Sequence, residues 1–392
     1  MQFTFSKEEE TFRRELRSFL KKELPLGWRY GLIESAEEDA ELERSMRRKL
    51  ADRGWLTLGW PREYGGQDAS PITQLVFYEE MAYHRAPGKD AFGIGMLGPA
   101  LMMHGTEEQK RRYLGQIARG EINWCQGFSE PGSGSDLASL QSRAVEDGDD
   151  FVISGQKIWT SGAHHADRFF MLARTDPEAP KHRGITFFLG DMSDPGVEVR
   201  PIVSATGRHS FNEVFFDNVR VNKRDIVGEV NRGWYVAVTL LGFERSTIEW
   251  PAAARRALEE LVRYAKETQV NGSALMDDPR VRHKLADAAI DIEVARMLCY
   301  RVAWLATQGQ APDSEGSIAK VYATGMLKRF SEIGMQVMGL TGQLAADSKY
   351  AALEGGMRHM YLETIGVNIA GGTSDIQRNI IATRGLGLPR GT

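Results

Sequence analysis

Cysteine is almost absent from this sequence. Only Cys125 and Cys299 occur among its 392 residues, which is too few for a disulfide framework, and neither lies in a Cys/His spacing typical of a metal site. We therefore predict no metal site and expect both cysteines to be small, buried, apolar side chains. A chain of this length has room for two or three domains with substantial cores.

Long apolar runs and an excess of one charge are absent too. No uncharged stretch reaches the roughly 20 residues needed to span a bilayer, and the start "MQFTFSKEEETFRREL" is not apolar enough for a signal peptide. With 49 basic and 53 acidic residues the net charge is −4, which gives no general electrostatic reason to bind nucleic acid or an anionic membrane. These features predict a cytoplasmic protein with neither kind of partner.

Helical periodicity is present at both ends of the chain. From Ser6 to Leu24 the apolar residues recur at helical spacing, and Ser6 with Glu9 has the form of a capping box. Thr106 with Gln109 repeats that pattern before a second helical segment. The first third of the chain is therefore predicted to be helical.

The pattern changes after Ile122 and changes back at Gly233. The runs "DDFVISGQKIW", "RFFMLART", "GITFFLGDM", "VEVRPI" and "NEVFFDNVRV" are short, apolar and separated by turn residues, as in strands. The sequence thus predicts a mostly α fold with a central β domain. We expect an N-terminal helical domain at 1–121, a middle β domain at 122–232 and a C-terminal helical domain at 233–392.

Two motifs lie where a site is expected. In Trp124–Ser139, "WCQGFSEPGSGSDLAS", the glycines let backbone N–H groups approach a ligand and Ser129, Ser133 and Ser135 add hydroxyls, although a Ser/Gly turn would look the same. In Gly155–Gly162, "GQKIWTSG", a tryptophan beside two hydroxyls can cover a flat ring and bond its edge, although a core tryptophan is commoner. Together the two motifs favour a ligand site more strongly than either does alone.

In this order and spacing the motifs resemble those of acyl-CoA dehydrogenases, and the resemblance covers essentially the whole chain. "GFSEPGSGSD" matches the first motif of that family closely and "GQKIWTS" its flavin-facing segment. "QVMGLTGQLAADSKYAALEGGMRHMY" matches the second motif loosely, and "NIAGGTSDIQR" resembles the C-terminal active-site loop. The resemblance implies FAD held between a helical domain, a β-barrel or β-sandwich domain and a C-terminal four-helix bundle, and across a subunit interface.

The resemblance also implies the site residues. Ser129 is expected near the flavin pyrimidine ring, Trp159–Ser161 near its N5, and Ser135 near the CoA part of the substrate. The implied cofactor contacts are Gln126, Phe128, Ser129, Ser135, Trp159, Thr160, Ser161, Gln336, Gly339, Thr373 and Asp375. The implied substrate contacts are Ser135, Phe243, Arg245 and Gly372.

The implied reaction is oxidation of an acyl-CoA thioester to its 2,3-enoyl form. A base removes a proton from Cα while a hydride leaves Cβ for the flavin. The developing enolate oxygen must be hydrogen-bonded where water is excluded. In this family a ribityl hydroxyl and a backbone N–H of the C-terminal loop make that contact, and the loop residue here is Gly371.

Many members of the family carry the catalytic glutamate where this chain has Gly371. A minority, the isovaleryl and long-chain types, take the base from a Glu-Arg pair on an earlier helix, which Glu244-Arg245 in "TLLGFERSTIEW" matches. On one continuous helix the apolar residues sharing a face with Glu244 are Ala237, Leu240, Leu241 and Ile248. Burial would raise the pKa of Glu244 toward that of an effective general base. From the residues alone, a buried structural glutamate is the favoured alternative.

Other features bear on electron acceptor and substrate. Family members usually pass electrons to an electron-transferring flavoprotein. An acyl-CoA oxidase and a non-catalytic partner subunit are the alternatives to this interpretation.

By family position "DAFGIGMLGPALMMHG" contributes to the acyl pocket, where Gly93, Gly95 and Gly98 leave room for a bulky or branched group such as a steroid side chain. Tight helix packing explains such glycines equally well. His164 and His165 follow the flavin-facing segment, and we expect them to be structural.

The chain departs from the family at one interface segment. Typical members have an arginine, followed by Phe-Gly, that reaches the FAD diphosphate of the neighbouring subunit. Here Thr268 takes the arginine position, Asn271 replaces the phenylalanine, and Pro279 stands where a glutamine is common. Either Arg280 or Arg282 compensates in a homotetramer, or a related chain supplies the missing groups in an α2β2 assembly, which we favour.

Overall fold

The structure, a computed structural model, describes residues 4–25, 28, 36–243 and 247–389. Its contacts divide the chain into two compact units. The helical unit comprises Met1–Met46, Ala69–Gly88 and Arg245–Thr392, and the sheet unit comprises Arg47–Asp68 and Lys89–Glu244. Each unit therefore combines segments that are distant in sequence, and the domain boundaries expected after residues 121 and 232 remain a prediction.

Helices dominate the described chain. In chain order they are α1 (Lys7–Glu23), α2 (Ala36–Asp52), α3 (Pro71–Tyr83), α4 (Gly98–His104), α5 (Glu107–Ala118), α6 (Gly233–Phe243), α7 (Glu249–Glu267), α8 (Pro279–Thr307), α9 (Asp313–Met338), α10 (Gly356–Val367) and α11 (Ser374–Ile380). Within the described residues, no helix is both long and apolar enough to cross a membrane.

Both predicted capping boxes are confirmed. The Ser6 hydroxyl accepts the Glu9 N–H at 3.1 Å while the Glu9 carboxylate accepts the Ser6 N–H at 2.7 Å. At the start of α5, Thr106 Oγ1 accepts the Gln109 N–H at 3.2 Å and Gln109 Oε1 accepts the Thr106 N–H at 3.0 Å. Each box satisfies donors that a helix N-terminus leaves unpaired, which is why these helices begin where they do.

The core of the helical unit is a set of small and large apolar side chains on long helices. Leu261 on α7, Ile292 on α8 and Phe330 on α9 belong to one buried cluster. The regular spacing of such residues along each helix gives it an apolar stripe that must be covered by another helix. Cys299 on α8 lies in a second cluster and is buried, as expected.

The strands build one main sheet and one short hairpin. They are β1 (Trp124–Gly127), β2 (Arg143–Asp147), β3 (Asp150–Lys157), β4 (Arg168–Arg174), β5 (Ile185–Asp191), β6 (Val197–Val203), β7 (His209–Asn222), β8 (Gln269–Val270) and β9 (Ser273–Ala274). In the main sheet the order is β1-β4-β2-β3-β7-β6, with β5 paired to β4, while β8 and β9 pair with each other. The predicted fold class, helical at both ends with a central β domain, is confirmed.

The sheet buries its centre on both faces. Along β4, Phe169–Ala173 is a continuous buried run, as is typical of a strand covered on both sides. Cys125 on β1 is 1% exposed in the same core, and burial raises the pKa of its thiol to about 12, so it is unreactive. Periodicity did not identify β1 or β2, because "WCQG" is short and "RAVED" has one buried residue.

Candidate active site

The first motif begins on β1 and leads directly to the candidate site. β1 runs parallel to β4, with Gln126 opposite Phe170. The next residue after the strand, Phe128, is 5% exposed and packs edge-on against Phe170 and Phe187, with ring centroids 5.9 and 6.2 Å away. Its ring therefore anchors the loop in the core of the sheet unit.

The loop that follows is a tight turn with open glycines. The Glu130 N–H donates to the Ser133 carbonyl at 2.8 Å and the Ser133 N–H donates back at 3.0 Å. The buried Ser133 hydroxyl also donates to the Asp136 carbonyl at 2.9 Å, so it stabilises the turn. Ser135 is exposed, and a Cβ built on Gly132 or Gly134 would meet no atom within 4 Å. The exposed edge of the loop is thus free to receive a ligand.

A buried ion pair joins this loop to the second motif. Lys157, fully buried at the end of β3, places its Nζ 2.7 Å from Glu130 Oε1 and 3.2 Å from the Phe128 carbonyl. Burial raises the pKa of Glu130, but the Lys157 charge and hydrogen bonds bring it below its ordinary value. Burial lowers the pKa of Lys157 to about 8 against the pull of Glu130.

The sequence analysis missed this pair, although a signal existed. Phe151, Ile153 and Lys157 occupy alternate positions of β3 that point into the core. A lysine in that register requires a buried partner of opposite charge, because an unpaired buried ammonium is costly. The structure identifies Glu130 as the partner, because the Ile158 N–H bonds the Ser129 carbonyl at 2.9 Å and brings the loop beside the end of β3.

The second motif turns sharply immediately after β3. Trp159 has a φ of +60°, a left-handed conformation that is uncommon for a bulky residue. Trp159 is 57% exposed and its indole lies edge-on to Phe211, while Ser161 is half-buried. Thr160 between them is 2% exposed, and its Oγ1 has no hydrogen-bond partner among the described residues. The turn therefore presents Trp159 and Ser161 and turns the Thr160 side chain inward.

A polar cluster lies behind this turn. The Asn212 amide Nδ2 donates to the Thr160 carbonyl at 2.9 Å and lies 3.1 Å from His164 Nδ1. Its Oδ1 lies 2.7 Å from His209 Nε2. Burial, with the nearby His165 and His209 rings, lowers the pKa of His164 to about 4, so its ring is neutral at pH 7. Within the described residues, no group of three or more potential ligand side chains is arranged to hold a metal.

The three glycines of the expected acyl-pocket segment have different surroundings: two are closely packed and one borders open space. Gly93–Leu97 is a π-helical turn that runs into α4. A Cβ on Gly98 would lie 2.0 Å from the Trp60 ring, and one on Gly93 would lie 2.3 Å from the Asp90 carboxylate, so these two glycines permit close packing. A Cβ on Gly95 would meet nothing within 4 Å. Only Gly95 of the three glycines therefore borders open space.

The helical unit contains the C-terminal loop. Gly371 and Gly372 have φ values of +63° and +86°, and Gln377 Nε2 donates to the Gly371 carbonyl at 2.9 Å. In the part of the chain that the structure describes, the Gly371 N–H donates to no acceptor. Thr373 caps α11 by accepting the Ile376 N–H at 3.2 Å, and Asp375 forms an exposed ion pair in the first turn. The Gly371 N–H is thus a backbone donor that this loop offers to a ligand.

The remaining cofactor candidates of the helical unit lie at the end of α9. Gln336 is exposed and accepts a hydrogen bond from Lys284. Gly339 has a φ of +60°, and a Cβ there would meet nothing within 4 Å. This helix end is therefore open to a ligand.

The predicted base lies outside the described residues, as do Arg245 and the side chain of Phe243. The single helix assumed from Ala237 to Ile248 is wrong, because Thr247 is not helical and Ile248 is the N-cap of α7. Leu241 is 37% exposed although Leu240 is fully buried, so the expected apolar face is narrower than predicted. Glu244 stays a prediction.

The segment that the resemblance assigns to a subunit interface contains the β8–β9 hairpin, and Arg280 and Arg282 both make hydrogen bonds within it. Thr268 caps the end of α7, and Asn271, with a φ of +51°, turns β8 into β9. Pro279 opens α8, where a missing N–H costs nothing. Arg280 bonds the Asp278 carboxylate at 2.7 Å, while Arg282 Nη1 donates to the Asp277 carbonyl at 2.8 Å.

Comparison with known proteins agrees with this architecture. The N-terminal, middle and C-terminal domain families of acyl-CoA dehydrogenase match residues 6–121, 125–219 and 231–386, respectively. The chain therefore belongs to the acyl-CoA dehydrogenase family. It is an oxidoreductase acting on CH–CH groups, and the cofactor of this family is FAD.

Individual relatives include several from Mycobacterium tuberculosis. Acyl-CoA dehydrogenase IpdE1 of that organism is 39% identical over 388 residues, covering 97% of this chain and 98% of IpdE1. Acyl-CoA dehydrogenase FadE26 is 35% identical over 403 residues, covering 100% of this chain and 99% of FadE26. Among solved structures, a chain of the ChsE4-ChsE5 complex of M. tuberculosis has a TM-score of 0.90 at 34% identity, with 100% of both chains covered.

A second solved structure is a steroid acyl-CoA dehydrogenase, Tcur3481-Tcur3483. It has a TM-score of 0.89 at 33% identity, with 100% of both chains covered. These similarities extend the resemblance to entire chains, so the fold of each unit is that of the family.

Proposed function

We propose that this enzyme dehydrogenates an acyl-CoA thioester to 2,3-enoyl-CoA, with Glu244 as the base. The observation that carries the proposal is the C-terminal loop, where Gly371 has no side chain to act as base but has an N–H that no described residue accepts. That donor would bind the thioester carbonyl oxygen as negative charge develops there. The Glu244 carboxylate would accept the proton from Cα. FAD, when bound, supplies the acceptor for the hydride.

The residues present fit a flat aromatic cofactor. In the sheet unit Trp159 and Ser135 are exposed and Ser161 is half-buried, so an aromatic face and two hydroxyls are offered to a ligand. In the helical unit the open end of α9 at Gly339 and the Thr373 hydroxyl are the remaining contacts we propose. Phe128 and Thr160 are buried and would support the site through packing and backbone groups.

Glu244→Gln tests the base. The amide keeps the shape but cannot accept the Cα proton, so flavin reduction by acyl-CoA should slow by about 10² or more, with FAD binding unchanged. Glu249→Gln, which removes the nearby carboxylate at the start of α7, is the matched control and should reduce at the wild-type rate. Stopped-flow absorbance under anaerobic conditions measures both. A wild-type rate in Glu244→Gln would exclude Glu244 as the base.

We propose an electron-transferring flavoprotein as the acceptor. Anaerobic photometry with a panel of acyl-CoA esters separates this reading from its two alternatives. Bleaching that persists in air until an electron-transferring flavoprotein is added supports the proposal, whereas rapid reoxidation by air indicates an oxidase. A chain that binds FAD but is never bleached by an acyl-CoA ester would be a non-catalytic subunit.

A bulky acyl group is the substrate class we propose. The support is the open space beside Gly95, together with the similarity to a protein described as a steroid acyl-CoA dehydrogenase. Gly95→Leu should lower kcat/KM for a steroid side-chain thioester about tenfold or more, because the new side chain takes up acyl space. Butyryl-CoA should be affected less. If butyryl-CoA is the best wild-type substrate by kcat/KM, the proposal is wrong.

A mixed assembly with a related chain is our proposal for the quaternary structure. Arg280 and Arg282 bind Asp278 and the Asp277 carbonyl, so either would have to give up these bonds to replace the missing interface arginine. A similar solved chain comes from a complex of two named chains, ChsE4 and ChsE5. Expressed alone, this chain should hold FAD substoichiometrically. A stable homotetramer with one tightly bound FAD per chain would refute the proposal.

A further inference from the structure

The left-handed backbone conformation of Trp159 must be stabilised by the surrounding structure. A left-handed backbone is disfavoured for a bulky residue, because the Cβ crowds the following carbonyl. Trp159 is more than half exposed, so packing around its side chain does little to compensate. Strain of this kind persists only where the surrounding structure fixes the conformation. The restraint must therefore act on the backbone next to Trp159.

Asn212 supplies that restraint from the adjacent strand. It is fully buried in β7. Its main-chain carbonyl accepts the Thr160 N–H at 3.0 Å, and its side-chain Nδ2 donates to the Thr160 carbonyl at 2.9 Å. One residue thus binds both backbone polar groups of the residue that follows Trp159. A rotation that returned Trp159 to an ordinary conformation would break these bonds.

The Asn212 amide is itself held in a single orientation. Its Oδ1 faces His209 Nε2 at 2.7 Å, and its Nδ2 is shared between the Thr160 carbonyl and His164 Nδ1 at 3.1 Å. The His164 and His209 rings stack with centroids 3.8 Å apart. Turning the amide over would set its oxygen against the Thr160 carbonyl oxygen. Every polar atom of the buried amide therefore has a partner that specifies its direction.

We infer that Asn212 is a positioning residue, which acts through Thr160 to hold Trp159 and Ser161 in the arrangement offered to the flavin. This role rests on the proposed function only in that the Trp159 turn faces FAD. Asn212 itself is buried behind the turn and acts on the site through the backbone of Thr160. We call the two hydrogen bonds from Asn212 to the Thr160 backbone the clamp. Its effect on Trp159 should be detectable with or without cofactor, because both bonds lie within the sheet unit.

Asn212→Asp is the test variant. The carboxylate keeps the size of the side chain but removes the donor to the Thr160 carbonyl and places an oxygen against it. Fluorine NMR of the full chain labelled with 5-fluorotryptophan reports on the turn directly, once the Trp159 signal is assigned with Trp159→Phe. We expect that signal to shift or broaden, and we expect the FAD dissociation constant to rise about tenfold or more.

The neighbouring Glu213→Gln is the matched control. Glu213 lies on the same strand and accepts a hydrogen bond from Gln156 at 2.9 Å, so this substitution perturbs β7 without touching Thr160. It should leave both the Trp159 signal and FAD affinity at wild-type values. A loss of stability alone would appear in every tryptophan signal, whereas release of the clamp should affect Trp159 most.

The outcomes separate this inference from the proposed function. An unchanged Trp159 signal in folded Asn212→Asp would overturn the inference. A changed signal with wild-type FAD affinity would support the clamp and overturn the placement of the turn against the flavin. If Asn212→Asp does not fold, His209→Phe keeps a stacked ring at an exposed position and removes the donor to Oδ1. It should move the Trp159 signal in the same direction by less, and no movement would overturn the inference.

Discussion

Trp159 and the pair Gly371–Gly372 adopt left-handed backbone conformations by opposite means. In the sheet unit, Trp159 reaches a φ of +60° against the preference of its side chain, and the buried Asn212 on β7 holds the adjacent backbone. In the helical unit, the two glycines reach +63° and +86° with no Cβ to oppose them. The turn at Trp159 is therefore defined by its surroundings, and the C-terminal loop by its residue type.

This difference predicts where each segment is vulnerable. The turn at Trp159 should tolerate changes at its exposed face but fail when a buried polar partner is removed. The C-terminal loop should tolerate changes to its few polar bonds but fail when a side chain is added to a glycine. Substitutions of both kinds sharpen the contrast, and they differ in the size of the expected effect.

The largest effect is expected from Lys157→Met. This change leaves the buried Glu130 carboxylate without its cation, and breaking a buried pair from one side costs about 3–5 kcal/mol of unfolding free energy. Urea unfolding followed by circular dichroism measures the loss. The fully buried position explains why the effect exceeds that of a surface pair.

Lys181→Met is the control for this prediction. Lys181 pairs with Asp136 in the same unit, but about half or more of each side chain is exposed. An exposed pair contributes about 0–1 kcal/mol, so this variant should unfold almost as the wild type does. If the two methionine variants lost similar stability, the buried pair would not be what fixes the loop to β3.

Gly372→Ala should have the next largest effect. A φ of +86° is strained for any residue with a Cβ, and the new methyl would lie 2.7 Å from Gln377 Nε2, which bonds the Gly371 carbonyl. We expect a loss of about 1–2 kcal/mol of unfolding free energy. Gly366→Ala on α10 is the control, because its Cβ meets nothing within 4 Å and the site is helical. That variant should be unchanged or more stable by up to about 1 kcal/mol, and equal losses in both would refute the prediction.

Local patterns predicted the elements of this fold well. Both capping boxes and the helix-strand-helix order depend on residues a few positions apart, which is the range at which sequence patterns are readable. The resemblance to a family then identified the motif segments on both units. The prediction of one continuous helix as far as Ile248 failed because spacing shows which residues would share a face, but not that the helix is interrupted at Thr247.

Contacts between distant segments were not predictable in the same way. Gly98 must be a glycine because the Trp60 ring packs against it, and Lys157 is buried as the partner of Glu130. The sequence around Gly98 and Lys157 indicates neither Trp60 nor Glu130 as the partner. Asn212 looks like an ordinary polar residue in a strand until its position behind Thr160 is known. The supporting groups of the candidate site come from tertiary pairing, whereas the groups that we propose to contact the cofactor stand in recognisable motifs.

The smallest effect concerns pH and the cluster behind Trp159. Because burial and the adjacent His165 and His209 rings lower the pKa of His164 to about 4 from an ordinary 6.5, the unfolded chain binds a proton between these values that the folded chain does not. His164 therefore contributes stability that is present above pH 6.5 and is lost as pH falls toward 4.

His164→Gln tests this contribution. Its free energy of unfolding should depend less steeply on pH in this window than that of the wild type, by at most about 1 kcal/mol after allowance for solvent screening. Unfolding midpoints measured from pH 4 to 7 test the prediction, and parallel curves for wild type and His164→Gln would show that this ring is not held neutral by the cluster.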